Sequence, residues 1–144
     1  LIVGCTKVGM EITAVTPMVN EASLDEELLE KAKGTGLYKI TTDVKRAVKD
    51  CDIVYTDTWV DMEFFLDPKF KEEKEKRTNL MMPYQVNREL LKGSDALIMH
   101  DMPIHRGYEI SEDMIESPNS IIYEQSENRL YTAKAILLKL LSKT

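Results

Sequence analysis

The chain has 144 residues, 31% of them charged and 43% hydrophobic, with a formal net charge of −6. That length suits one domain with a real core, and the acidic balance argues against a general nucleic-acid binder, which would show a basic face. No apolar run approaches the ~20 residues of a membrane-spanning helix, no signal peptide is read, and Cys5 and Cys51 make neither a disulfide framework nor a zinc pattern, so a reducing, cytoplasmic setting is the simple expectation.

In chain order, Leu1 to Met10 reads as the latter half of a helix ending near Gly9. With no capping residue ahead of it, the pattern suggests a chain cut from something longer. Glu11 to Val15 reads as a strand closed by Pro17. Ser23-Leu-Asp-Glu26 has the form of a capping box and predicts a helix to about Lys33, ended by Gly34 to Gly36. Leu37 to Thr41 is a strand, and Thr42 or Asp43 caps a short helix with Val44, Ala47 and Val48 on one face. Asp52 to Thr56 is a buried strand. Asp67 to Arg77 is a charged, solvated helix in which Lys71 and Glu75, and Glu72 and Lys76, pair at i,i+4. Gln85 to Leu91 is a helix, Ala96 to Met99 a strand, Ser111 to Ile115 a helical turn capped by Ser111, Ser120 to Tyr123 a last strand, and Ser126 to Leu141 a closing helix.

Strands separated by helices of this length imply parallel βαβ units with right-handed crossovers. The fold class is therefore α/β, a doubly wound, mainly parallel sheet with helices on both faces, Rossmann-like, as one domain over residues 1–144. In such sheets the first strand lies centrally, and here it would precede Leu1. An empty slot leaves unpaired backbone groups, so these residues alone are expected to be marginal or to associate with another chain.

Ligands of open α/β sheets bind at the carboxyl ends of the strands, and there the sequence is chemically rich. Met99-His-Asp-Met-Pro-Ile-His-Arg-Gly107 follows one strand, Thr56 to Glu63 another, and Glu124 to Arg129 the last. Acidic side chains suit an amine, and arginine suits phosphate or carboxylate. Each residue also has a plainer reading. Asp57 is either a turn or helix cap or a ligand, and His105 with Arg106 is either a solvated loop pair or part of the site. Trp59 reads as packing. His100 and His105 with one Asp lack a third metal ligand at a standard spacing. Arg129, in the first turn of the closing helix, is placed for an anion or is simply exposed.

Several of these segments together, Tyr55-Thr-Asp-Thr-Trp-Val60, Pro83-Tyr-Gln-Val-Asn87, Met99-His-Asp-Met-Pro103, His105-Arg-Gly107 and Ser126-Glu-Asn-Arg129, resemble the carboxyl-terminal half of the ornithine carbamoyltransferases. The resemblance runs in order along nearly the whole chain. It implies the amino-acid-binding second domain of an enzyme that carries the carbamoyl group of carbamoyl phosphate to the side-chain amine of L-ornithine, giving citrulline and phosphate in arginine metabolism. It also implies a homotrimer with sites at subunit interfaces, no cofactor and no metal. The family's Ser-Thr-Arg-Thr phosphate loop, part of its carbamoyl-phosphate-binding domain, has no counterpart here, so the fragment alone is expected to be inactive.

By the same resemblance Asp57 would hold the ornithine α-amino group, Arg129 would reach carbamoyl phosphate, and the segment from His100 to Pro103 would present backbone carbonyls to the carbamoyl NH2 with Met102-Pro103 as a cis turn. The implied catalytic residues are Asp101, His100 and Arg129. The implied substrate-binding residues are Asp57, Asp61, Met62, Asp101, Met102 and Arg129. Two departures bear on the acceptor: the family's Ser-Met-Gly reads Asp61-Met62-Glu63, and its His-Cys-Leu-Pro reads His100-Asp101-Met102-Pro103. A carboxylate in place of the thiol favours the protonated, non-nucleophilic amine. Alternatives are therefore a carbamoyltransferase for another amine, such as putrescine, lysine or an acylated ornithine, and a non-catalytic paralogue.

Overall fold

The computed structural model describes residues 1–19, 24–60 and 65–142. The chain divides into two compact units, Leu1–Lys49 and Asp50–Thr144. Both are α/β with parallel strands, and the expected sheet is present as two separate two-stranded sheets.

In the first unit, helix α1 (Ile2–Lys7) leads to strand β1 (Ile12–Ala14), helix α2 (Glu26–Gly34), strand β2 (Tyr38–Ile40) and helix α3 (Val44–Ala47). Gly9 takes φ 81°, which lets the chain leave α1 and enter β1. β1 and β2 run parallel with Ile12 opposite Tyr38. The N-cap of α2 is Asp25, whose carboxylate accepts from the Leu28 amide at 3.0 Å, the reach of an N-cap to the third helical residue. Ser23 lies outside the described residues. Of the two candidate caps of α3, Asp43 is the one used, accepting from the Arg46 amide at 3.0 Å.

The second unit holds strand β3 (Ile53–Thr56), helix α4 (Lys71–Met81), strand β4 (Leu97–His100), the short helix α5 (Glu112–Ile115) and the long helix α6 (Ile122–Leu141). Its core is built from Trp59, Val60, Val86, Ala96, Ile98, Ile110, Ile115 and Ile122, all buried. Trp59 is thus a packing residue, as expected. β3 and β4 are parallel and level, with Ile53 opposite Leu97 and Thr56 opposite His100. α4 has no buried residue and is the expected solvated helix. Lys71 meets Glu75 at 3.9 Å, but Glu73 pairs with Arg77 at 2.7 Å, and no Glu72–Lys76 pair forms among the described residues.

Three further expectations fail, two for a tertiary reason and one for a local one. Gln85 to Leu91 is not a helix. Val86, buried, lies extended so that its amide donates to Glu109 O at 2.9 Å and its carbonyl accepts from the Ser111 amide at 3.0 Å. The residues after it form only turns, with Asn87 Oδ1 accepting from the Leu90 amide at 2.9 Å. Ser120 to Tyr123 makes a single parallel bridge, Ile98 to Ser120, and then becomes helix. α6 therefore begins at Ile122 rather than Ser126, with Ile122 fully buried. Ser111 does stand at the start of α5, but its hydroxyl bonds Asp113 Oδ1 at 2.6 Å instead of capping the helix amides.

Candidate functional site

Because Thr56 and His100 are opposite one another at the ends of neighbouring parallel strands, the next residue of each, Asp57 and Asp101, emerges at one level. Ligand atoms of Asp57, His100 and Asp101 all lie within 4.8 Å of one another. The carboxylates are exposed and the imidazole is buried. Asp57 Oδ1 accepts from the amide of Thr58 at 2.6 Å, the next residue rather than one two or three positions on, so it caps no helix or turn through this bond.

His100 is tied on all sides. Its amide donates to Gln125 Oε1 at 3.0 Å, and Gln125 Nε2 donates to the Tyr55 hydroxyl at 3.1 Å. Its Nδ1 accepts from the Met102 amide at 2.9 Å, and its Nε2 lies 3.3 Å from Glu109 Oε1. Burial, reinforced by the charges of Asp101 and Asp57 and opposed by the Gln125 hydrogen bond, pushes the Tyr55 phenol above its ordinary range. The Met102-Pro103 bond is cis, as expected, and Met102 has φ 54°, the left-handed region that non-glycine residues seldom enter.

With both ring nitrogens of His100 engaged, the cluster offers no free imidazole lone pair, and two carboxylates alone do not make a metal-ion cage. The same bonds argue against His100 as a proton-transferring residue, since neither nitrogen is open to a substrate. Arg129 is exposed in the third turn of α6, not in the first, so the dipole argument made for it fails. It does lie one turn beyond Gln125 on one helix face and lines a cavity of about 500 Å³ with Met99, Gln125, Asn128, Thr132, Ala133 and Ile136. Asp57, Asp101 and Met102 thus share one strand end, and Arg129 opens on a cavity whose wall includes Gln125, the residue that holds His100. Asp61 and Met62 lie outside the described residues.

His105 is not a solvated loop residue: its ring stacks on Phe65 with centroids 3.6 Å apart, and Lys74 Nζ lies 3.6 Å over the Phe65 ring. Arg106 is exposed but paired, its guanidinium 3.2 Å from Glu116 and 3.4 Å from the Tyr123 hydroxyl. Gln85 closes the other side of the loop, donating to the carbonyls of Gly107 at 2.9 Å and Tyr108 at 2.8 Å. Glu109 and Gln125 are the residues sequence reasoning passed over as site members. Only the presence of each beside a recognisable motif hinted at them.

Acidic groups at the level carboxyl ends of parallel strands, with a cis-proline turn beside them, mark an α/β domain of the kind that holds ligands at its strand ends, and carboxylates there are chemically matched to a cationic group. Residues 1–140 match the family model described as aspartate/ornithine carbamoyltransferase, Asp/Orn binding domain, and the chain belongs to that family. Among its relatives, an ornithine carbamoyltransferase of Methanosarcina mazei is 42% identical over 143 residues, covering 97% of this chain and 45% of the relative. The solved ornithine carbamoyltransferase of Pyrococcus furiosus is similar with a TM-score of 0.76 at 37% identity, over 92% of this chain and 42% of that one. An acetylornithine transcarbamylase solved with acetylcitrulline is similar with a TM-score of 0.74 at 25% identity, over 99% of this chain and 43% of that one. The chain spans less than half the length of these relatives.

Proposed function

We propose that this chain is the amine-acceptor domain of a carbamoyltransferase that makes citrulline from L-ornithine and carbamoyl phosphate. The observation that carries the reading is the cluster of Asp57, His100 and Asp101 beside the cis Met102-Pro103 turn. In this reading Asp57 holds the acceptor's α-ammonium by a charge-assisted hydrogen bond. The carbonyls of residues 100–103 orient the carbamoyl NH2, and Arg129 reaches the phosphate of the donor across the adjoining cavity. The family resemblance assigns acceptor binding to Asp61 and Met62 as well. The deprotonated side-chain amine then attacks the carbamoyl carbon, phosphate leaves with the electron pair of the broken C–O bond, and the amine proton is lost. The barrier falls by positioning and by fixed donors to the developing oxyanion, without a metal or a covalent enzyme intermediate.

In this reading most of the donor's phosphate-binding groups come from a carbamoyl-phosphate-binding domain that these 144 residues do not include, so on their own they turn over no substrate. The assembly is a homotrimer in the cytoplasm, serving arginine synthesis or breakdown. Asp101, a carboxylate beside Asp57 where the family carries a cysteine, favours a second reading: a carbamoyltransferase for another amine, such as putrescine, lysine or an acylated ornithine. Purified full-length protein supplied with carbamoyl phosphate and each amine in turn decides between them. Citrulline from ornithine at the highest kcat/KM supports the first reading. Preference for another amine replaces it with the second, and no turnover with any amine marks a non-catalytic paralogue.

A further inference from the structure

Glu109 has no part in the reaction just described, yet it is fully buried and is the only buried acidic side chain among the described residues. A carboxylate carried into a core is costly unless its bonds repay the lost hydration. One oxygen, Oε1, accepts from the His105 amide at 2.6 Å and lies 3.3 Å from His100 Nε2. The other, Oε2, has no hydrogen-bond partner and stands 4.0 Å from His105 Nδ1. The carboxylate therefore acts through a single atom, at the point where two loop segments meet.

The far side of the imidazole fixes what that atom does. The Met102 amide donates to His100 Nδ1 at 2.9 Å, and a backbone N–H can only donate. Nδ1 is then the lone-pair nitrogen, and the ring proton sits on Nε2, facing Glu109. Asp101 Oδ1, 3.5 Å from Nδ1, offers the competing arrangement, in which a proton on Nδ1 points to Asp101 and the Met102 amide loses its acceptor. The two arrangements exclude each other.

We infer that Glu109 is a positioning residue: it selects the Nε2–H tautomer of His100, which in turn holds the Met102 amide and keeps the turn into Pro103 in its left-handed conformation. A non-glycine residue stays at φ 54° only where its surroundings over-determine it, and the bond from the Met102 amide to His100 supplies that constraint. The catalytic consequence rests on the proposed carbamoyltransferase reading; the geometry does not. Should residues 100–103 orient the carbamoyl group, loss of the relay moves their carbonyls and acts on kcat more than on KM.

The test compares full-length wild type, Glu109→Gln and Glu109→Ala. Two-bond proton–nitrogen correlation spectra of labelled histidine read the His100 tautomer, hydrogen exchange reads the Met102 amide, and steady-state kinetics read kcat and KM. Wild type shows the Nε2–H pattern. Glu109→Ala loses that pattern and the protection of the Met102 amide, and kcat drops on the order of 100-fold, the penalty of a displaced reacting group. Glu109→Gln restores most of these losses, because its amide oxygen takes the place of Oε1 while its NH2 falls where the partnerless oxygen was. An Nδ1–H pattern in wild type, an unchanged tautomer and protected Met102 in Glu109→Ala, or a Glu109→Gln as impaired as Glu109→Ala overturns the inference. Absence of carbamoyl transfer in wild type refutes the function instead, and the tautomer and exchange readings still decide the role of Glu109.

Discussion

Replacing Gln125 by leucine removes one side chain that serves two elements. Its Oε1 accepts the amide of His100, a residue with 0% exposure, at 3.0 Å, and its Nε2 donates to the Tyr55 hydroxyl at 3.1 Å. Leucine ends one atom short of the glutamine amide and is polar nowhere, so the His100 amide is left buried and unpaired, at a cost of about 1–3 kcal/mol. The neutral bond to Tyr55 adds about 1 kcal/mol, so Gln125→Leu should lose roughly 2–4 kcal/mol in all. With an m-value of about 2 kcal/mol/M, the urea midpoint of the second unit falls by about 1–2 M. Trp59 is the only tryptophan, is buried, and belongs to that unit, so its fluorescence reports the transition. Tyr55→Phe alone should cost about 1 kcal/mol, and the double variant should cost less than the two singles added, because they remove one shared bond. A Gln125→Leu midpoint within error of wild type, at unchanged m, would mean that the His100 amide finds water or another acceptor, and the account of how this strand end is held would be wrong.

The Tyr55 phenol is pushed above its ordinary value of 10, chiefly by burial. Its contribution to stability is fully present below that ordinary value and is lost as pH rises through the elevated one. Tyrosinate absorbance should show one late-titrating tyrosine that disappears in Tyr55→Phe. Ile122→Ala, at a fully buried position where α6 starts, should cost about 2–5 kcal/mol in denaturant unfolding. In the full-length protein, Asp57→Asn should raise the KM for ornithine at least tenfold while leaving that for carbamoyl phosphate unchanged, since it removes a charge-assisted bond of about 1.5–3 kcal/mol. An equal rise in both would place Asp57 outside the acceptor pocket.

The sequence by itself determined the α/β class, most element positions and, through motifs such as Met99 to Pro103 whose spacing survives in the linear chain, the family; the cis turn at Met102-Pro103 is implied by that family resemblance. The class and the elements follow from short-range signals: hydrophobic period and capping residues such as Asp43. Tertiary structure alone decided that residues 85–91 stay extended and turned, because Val86 pairs its backbone with that of Glu109 and Ser111, far along the chain. It alone started α6 at Ile122, where burial of that residue outweighs the strand preference of Ile121 to Tyr123, and so moved Arg129 two turns away from the helix terminus. It alone joined Tyr55, Gln125, His100, Glu109 and Met102 into one hydrogen-bonded chain. A side chain's partner across the fold leaves no mark in its neighbours, so a buried glutamate beside a histidine reads, in the bare sequence, as one more surface charge.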